Sequence, residues 1–220
     1  MTDTQTGVLH EIDLVVFDAF GTLVEITDRR RPFAPLTRQM PPEKVVQFRR
    51  MAMTTSLTLS EIDAELQGGA TVIDFVVAQA AIAREVASVR IRPGVAKMLA
   101  ALPIRYGVCS NLSADYAGAL DRFPEISPAF RVLSCFVGCM KPDPRIYELV
   151  LEAAGVPAAR ILFIGDTPVA DIDGPTRAGM RAMHIDAFLN SFSGRDRRDD
   201  FADAFRAARA TIPRDLDIES

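Results

Sequence analysis

Between residues 93 and 185, short apolar runs alternate with helix-patterned segments, and few folds satisfy that alternation. The runs Tyr106–Cys109, Val132–Phe136, Ile161–Ile164 and Ala182–Ile185 are rich in β-branched, aromatic and small apolar side chains and too short for buried helices. Pro93–Ala101 leads into the first run, and Ala114–Arg122, Asp143–Ala154 and Ala170–Ala178 separate the others. Pro93 suits a first helical turn, Ser113 an N-cap, and Gly155-Val156-Pro157 and Gly179 are helix terminators. Strands joined by such helices close right-handed crossovers into a parallel sheet. An earlier run, Leu14–Phe17, reads as a further buried strand of that sheet.

The distance from Phe17 to Tyr106 is too long for one crossover. Residues 24 to about 91 carry no strand signal but three helical patterns, Glu43–Thr54, Ser60–Leu66 and Val72–Val89. Ser60-Glu61-Ile62-Asp63 has the form of a capping box. The expected organisation is an α/β core of residues 1–23 and 92–220 with a helical subdomain, 24–91, inserted after the first strand. Hinges are expected near Val24–Thr27 and Arg90–Pro93. The insert is either a stabilising appendage or a lid that excludes water, and its place directly after Asp18 favours the lid. The charged stretch 191–220 is expected to form one peripheral helix near Phe201–Ala210.

A net charge of −4 gives no case for nucleic acid or an anionic membrane as partner. The longest apolar stretch, Val72–Ile82, is interrupted by Asp74 and Gln79 and is too short to span a bilayer. Met1–Gln5 is polar, and the three cysteines, Cys109, Cys135 and Cys139, form no C-x-x-C pair. A reduced, cytoplasmic protein is expected, monomeric or homodimeric, acting on a small anionic substrate.

Chemistry concentrates where the strands end. Asp18-Ala19-Phe20-Gly21-Thr22 follows the first, Ser110-Asn111 the second, Lys141-Pro142-Asp143-Pro144 the third, and Gly165-Asp166-Thr167-Pro168 with Asp171 the fourth. A parallel sheet brings those ends to one edge, where open α/β sheets bind ligands. In this order the four pieces resemble the haloacid dehalogenase-like hydrolase superfamily, in the branch whose cap lies between the first and second motifs. The resemblance runs over residues 12 to 186 apart from the cap. It implies a doubly wound, Rossmann-like parallel sheet with an inserted helical cap subdomain, and a hydrolase activity. It also implies that Asp18 is a nucleophile forming a covalent aspartyl intermediate. Thr22 and Ser110 would hold the transferred group, and Lys141 would offset charge around it. Asp18, the Phe20 carbonyl, Asp166 and waters would complete an oxygen octahedron around Mg²⁺, with Asp171 supporting the metal's water shell or Lys141.

Phe20 departs from the pattern. Phosphatases resembling this chain carry there a second aspartate, which protonates the leaving alkoxide and later activates water. An aromatic residue at this place is found in 2-haloacid dehalogenases, whose halide leaves without a proton. Asn111, Tyr147 and Arg49, a candidate halide-binding cap residue, fit that reading, although Arg49-Arg50 also reads as a solvated helix face. Asp166 and Pro168 point the other way, because those dehalogenases carry uncharged Ser and Asn there and use no metal. The expected activity is therefore a Mg²⁺-dependent phosphohydrolase favouring good leaving groups. The rivals are a metal-independent 2-haloacid dehalogenase and a binding or regulatory protein without efficient turnover. Arg29-Arg30-Arg31 reads equally as a cleft entrance for anions and as a solvated loop, His184 as a packed or hydrogen-bonded residue, and Asp173 as solvated.

Overall fold

The computed structural model describes residues 12–190. Its strands are β1 (Leu14–Phe17), β2 (Val24–Ile26), β3 (Val89–Ile91), β4 (Tyr106–Ser110), β5 (Arg131–Leu133), β6 (Ile161–Gly165) and β7 (Arg181–His184). Its α-helices are α1 (Ala34–Thr37), α2 (Pro42–Thr54), α3 (Leu59–Leu66), α4 (Val72–Ser88), α5 (Val95–Ala101), α6 (Ser134–Val137), α7 (Pro144–Ala154), α8 (Gly174–Arg177) and α9 (Ile185–Asn190).

Five strands form an all-parallel sheet in the order β5-β4-β1-β6-β7. All four residues of β1 are buried, which only a central strand covered on both faces allows. Its side chains divide with period two. Val15 and Phe17 join one apolar layer with Leu162 and Ile164, whereas Leu14 and Val16 join the other with Ile161 and Phe163. The register sets Phe17 opposite both Val108 and Ile164, so the residues just beyond β1, β4 and β6 meet at one edge. Chain order also reverses across β1, with β4 and β5 on one side and β6 and β7 on the other. That is a topological switch point, where a crevice opens beyond the strand ends.

Several expected elements differ. The run Val132–Phe136 is not one strand: β5 ends at Leu133 and α6 begins, so Cys135 lies in a helix. Ser134 causes the break. Its hydroxyl accepts from the Leu112 amide (3.0 Å) and donates to the Leu112 carbonyl (3.2 Å), drawing the chain off the sheet edge. Ala114–Arg122 winds as a 3₁₀ helix. The segment expected as Ala170–Ala178 starts earlier, with a π-helical turn over Pro168–Asp173 that precedes α8.

Residues 24–91 do contain strands: β2 and β3 pair antiparallel, Val24 opposite Ile91 and Ile26 opposite Val89. Between them lie α1 to α4. The capping box of α3 lies two residues earlier than expected, with Thr58 accepting from the Glu61 amide and Glu61 returning to the Thr58 amide; Thr71 and Asp74 do the same for α4. His184 is half-exposed, and its Nδ1 accepts from the Asp186 amide at 3.2 Å. The expected helix at Phe201–Ala210 lies outside the described residues. No helix among the described residues is long and apolar enough to cross a membrane.

Candidate active site

At the end of β1, Asp18 is 6% exposed and its amide donates to the Ile164 carbonyl at 2.8 Å, which ties it to β6. The chain then doubles back, and the Leu23 and Val24 amides both donate to the Ala19 carbonyl (2.8 and 2.9 Å). Gly21 makes this turn possible. It adopts φ +93°, and a Cβ there would stand 2.1 Å from Asp166 Oδ2. Glycine thus lets the loop after β1 approach the loop after β6 closely enough to bring Asp18 near Asp166.

Lys141 sits at the centre of the cluster, 3% exposed. Its ammonium donates to Asp18 Oδ1 (2.8 Å), Asp171 Oδ1 (2.6 Å) and the Cys109 carbonyl (2.9 Å), a complete set for its three protons. Asn111 fixes the lysine's backbone from the adjacent strand end: its Nδ2 donates to the Lys141 carbonyl and its Oδ1 accepts from the Lys141 amide, both at 2.8 Å. Asp171 Oδ2 accepts from the Asp166 and Thr167 amides (3.2 and 2.9 Å), which explains the widened turn. A π-type turn carries this carboxylate inward far enough to reach both Lys141 and the loop after β6. Tyr147 supports the turn from behind, donating to the Ala170 carbonyl at 2.6 Å. It packs in the core against Phe163 and does not line the cleft.

Ser110 donates to Asp18 Oδ1 at 3.0 Å. Both side-chain bonds to Asp18 therefore converge on one oxygen, and Oδ2 has no donor among the described residues. Thr22 is fully buried, and its hydroxyl has no hydrogen-bond partner. A buried hydroxyl left unpaired is unfavourable, and a bound oxyanion would satisfy it.

The charges do not balance. Oxygens of Asp18, Asp166 and Asp171 lie within 4.8 Å of one another, with Asp166 the most exposed of the three. One ammonium serves them. Burial pushes the Asp18 carboxyl above its ordinary pKa, and Lys141 offsets this only in part while Asp171 adds to it. Burial works against the Lys141 ammonium too, but Asp18 and then Asp171 outweigh it and hold its pKa above the ordinary 10.5. A hard, oxygen-preferring divalent cation fits this donor set. Replacing Lys141 by Met should destabilise the fold by about 3–5 kcal/mol, because it strands buried carboxylates without their cation. Urea titration of the metal-free variant measures that loss.

A cleft of about 670 Å³ adjoins the cluster and is lined in part by Phe20, Asn111 and Arg49. The structure brings these three sequence-expected residues to one cavity, and Arg29 and Arg31 join them, whereas Thr22 and Ser110 stay with the Asp18 cluster. Sequence reasoning missed Glu85 and Tyr116. Glu85 lies on α4 and Tyr116 on the 3₁₀ helix; both border the cleft, and the phenol donates to the carboxylate. The Tyr116 ring meets Phe20 edge-on, centroids 5.9 Å apart. A glutamate inside a helical pattern gives no signal of burial, so neither residue was readable.

The haloacid dehalogenase-like hydrolase family model matches residues 12–179. This chain belongs to that family. Among curated relatives, the phosphoserine phosphatase of Thermus thermophilus is 40% identical over 58 residues, 26% of this chain and 23% of the relative. The chain therefore matches about a quarter of that relative's length. Among solved structures, a 2-haloacid dehalogenase from Pseudomonas syringae pv. Tomato superimposes with TM-score 0.54 at 22% identity, covering 84% of this chain and 89% of that one. A HAD family enzyme of Bacteroides thetaiotaomicron, solved with magnesium and inorganic phosphate, gives TM-score 0.58 at 17% identity, covering 79% and 93%. These likenesses establish the haloacid dehalogenase-like fold.

Proposed function

We propose that this hydrolase is a Mg²⁺-dependent phosphohydrolase acting on small phosphorylated substrates with good leaving groups. The observation that carries the reading is the excess of carboxylates over ammonium groups at Asp18, Asp166, Asp171 and Lys141. Asp18, Asp166 and the Phe20 carbonyl are the residues that would hold the ion. When bound, it would neutralise the carboxylates and the incoming phosphate.

Asp18 Oδ2, without a donor among the described residues, attacks phosphorus in line while Ser110 and Lys141 hold Oδ1 in place. The bond from phosphorus to the leaving oxygen breaks, and the electron pair leaves with that oxygen. Thr22 donates a hydrogen bond to the transferred group, Ser110 keeps its single proton on Asp18 Oδ1, and Lys141 offsets the charge. Phe20 has no proton to give, so only a leaving group stable as an anion departs quickly. Water then attacks phosphorus of the aspartyl phosphate, releasing inorganic phosphate and restoring Asp18. No carboxylate stands at position 20 to activate that water, so this second step should limit turnover. An aryl phosphate should accordingly give a rapid burst of phenolate, about one equivalent per site, before a slower steady state. Residues 24–91 would act as a cap over this chemistry, hinged at the paired β2 and β3.

A panel of acyl, aryl and alkyl phosphates, each assayed with Mg²⁺ and with EDTA, tests the reading. Activity on acyl and aryl esters that EDTA removes is expected. Equal rates on alkyl and aryl esters, or full rates in EDTA, would refute it. The second reading, a metal-independent 2-haloacid dehalogenase, rests on Phe20 and predicts halide release from 2-chloropropionate in EDTA. The Asp166 carboxylate beside Asp18 disfavours it, because an uncompensated like charge raises the cost of ionising the nucleophile.

A further inference from the structure

The cleft beside Phe20 is much larger than a phosphate group needs. At about 670 Å³ it has the dimensions of a site for a whole organic molecule. Its walls are of two kinds. Phe20, Ile26, Phe33, Met53, Leu112 and Tyr116 provide an apolar surface, and Arg29, Arg31 and Arg49 are the basic residues at its border.

Those arginines are uncommitted. Arg30 pairs with Asp28, Arg38 with Asp74 and Arg92 with Asp186, but Arg29, Arg31 and Arg49 make no ion pair among the described residues. The one carboxylate lining the cleft among the described residues, Glu85, is already engaged, accepting from the Arg30 amide and the Tyr116 hydroxyl.

The loop that carries two of these arginines is built rather than slack. Thr27 donates to the Ser88 carbonyl (2.8 Å), the Asp28 amide donates to the Ser88 hydroxyl (3.1 Å), and the Arg30 amide is held by Glu85. Arg29 and Arg31 line the cleft, whereas Arg30, between them, folds onto Asp28. Arg31 holds φ +53°, a left-handed conformation that a side-chain-bearing residue seldom adopts. Strain of that kind persists where a side chain's position matters.

We infer that the substrate's leaving group is an apolar body ending in a second anion, bound by Arg29, Arg31 and Arg49. The inference rests on the phosphohydrolase reading of the same site. Phosphate binds at Asp18 and Lys141, the apolar body lies along Phe20 and Tyr116, and the terminal anion reaches the guanidinium groups. Partly exposed contacts of this kind are individually modest, so the three together should favour the charged ligand by about tenfold.

Two nearly isosteric esters isolate that charge: 4-(2-carboxyethyl)phenyl phosphate and 4-propylphenyl phosphate. The ethylene spacer keeps the phenolate leaving groups similar, so a difference reports binding of the far end. The wild type should prefer the carboxylate in kcat/KM by about tenfold, falling towards unity at high salt. The Arg29→Ala/Arg31→Ala double variant should lose the preference, and Arg50→Ala, adjacent to Arg49 but outside the cleft, should keep it. Arg31→Gly should lose part of the preference while melting at a higher temperature, because it releases the left-handed strain.

Calorimetric binding of the products, 3-(4-hydroxyphenyl)propionate against 4-propylphenol, reads the subsite without any turnover. Arginine-dependent binding of the carboxylate with no phosphatase activity would refute the reaction and support the subsite. Equal handling of the two esters and two phenols, or the same loss in Arg50→Ala, would overturn the subsite and leave the phosphohydrolase reading standing.

Discussion

Asp18→Asn is expected to abolish turnover and, in metal-free buffer, to yield a more heat-stable protein. The rate should fall by at least about 10⁴-fold, because the substitution removes the proposed attacking oxygen. The stability gain follows from the direction of one pKa. Burial holds the Asp18 carboxyl above 3.8, its value outside the fold. A carboxyl whose pKa is raised by folding binds its proton more tightly in the native state. Its ionised form therefore weakens the fold at every pH above 3.8, increasingly until the folded pKa is passed. Asparagine has the same shape and no charge, and Lys141 keeps Asp171 and the Cys109 carbonyl as acceptors. A rise of about 2–4 °C in melting temperature corresponds to each kcal/mol recovered in a chain of this size. Mg²⁺ should raise the wild-type melting temperature and leave the variant nearly unmoved, since ligand binding stabilises only the form that binds it. Melting curves of both proteins in EDTA and in Mg²⁺ decide the matter, and a variant less stable than the wild type in EDTA would overturn the charge argument.

On the proposed phosphohydrolase reading, Phe20→Asp should extend turnover from good leaving groups to poor ones. Supplying a positioned acid is worth on the order of 10²- to 10⁴-fold, and the gain should be greatest for alkyl phosphates, whose alkoxide departs poorly. Acyl phosphates should gain little in the first step, because their leaving carboxylate needs no proton. The burst seen with aryl phosphates should shrink, since the new carboxylate can also activate water in the second step. The substitution has a structural cost. Phe20 packs edge-on against Tyr116 and onto the apolar layer beneath the cleft, so about 2 kcal/mol of stability should be lost with it. Rates for a matched set of alkyl and aryl phosphates, measured below the melting temperature of the variant, test this. A uniform fall across the set would mean that position 20 does not face the leaving group.

The sequence made the sheet legible because β1, β4 and β6 are buried on both faces and therefore read as unbroken apolar runs. The motifs were legible with it, since a parallel sheet leaves their order no freedom: Asp18, Ser110, Lys141 and Asp171 had to meet. Short-range competition hid the rest. Ser134 looks like one more residue of a strand that ends in aromatic and β-branched side chains, and only its two bonds to Leu112 reveal why the chain turns. Val24–Ile26 and Val89–Ile91 have three residues each and find their partners more than sixty positions away, so neither shows a hairpin pattern. Thr58 and Ser60 are both competent N-caps, and the choice between them depends on where Leu59 and Ile62 find apolar cover. Glu85 and Tyr116 were invisible because their burial arises from packing between segments distant in the chain.

The pairing of β2 with β3 bears on how such a protein can change. The chain enters and leaves residues 27–88 through neighbouring strands, and the Arg92 amide donates to the Leu23 carbonyl beside them at 3.0 Å. Strands so paired stand about 5 Å apart. An insert whose ends already touch adds little to the closure entropy of the core, because doubling a loop's length costs only about 0.6 kcal/mol. The segment between them can therefore be lengthened, shortened or exchanged while the five-stranded sheet, and the carboxylates at its edge, fold as before. Variation inside that segment is thereby uncoupled from the folding of the strands that carry Asp18, Ser110 and Asp166.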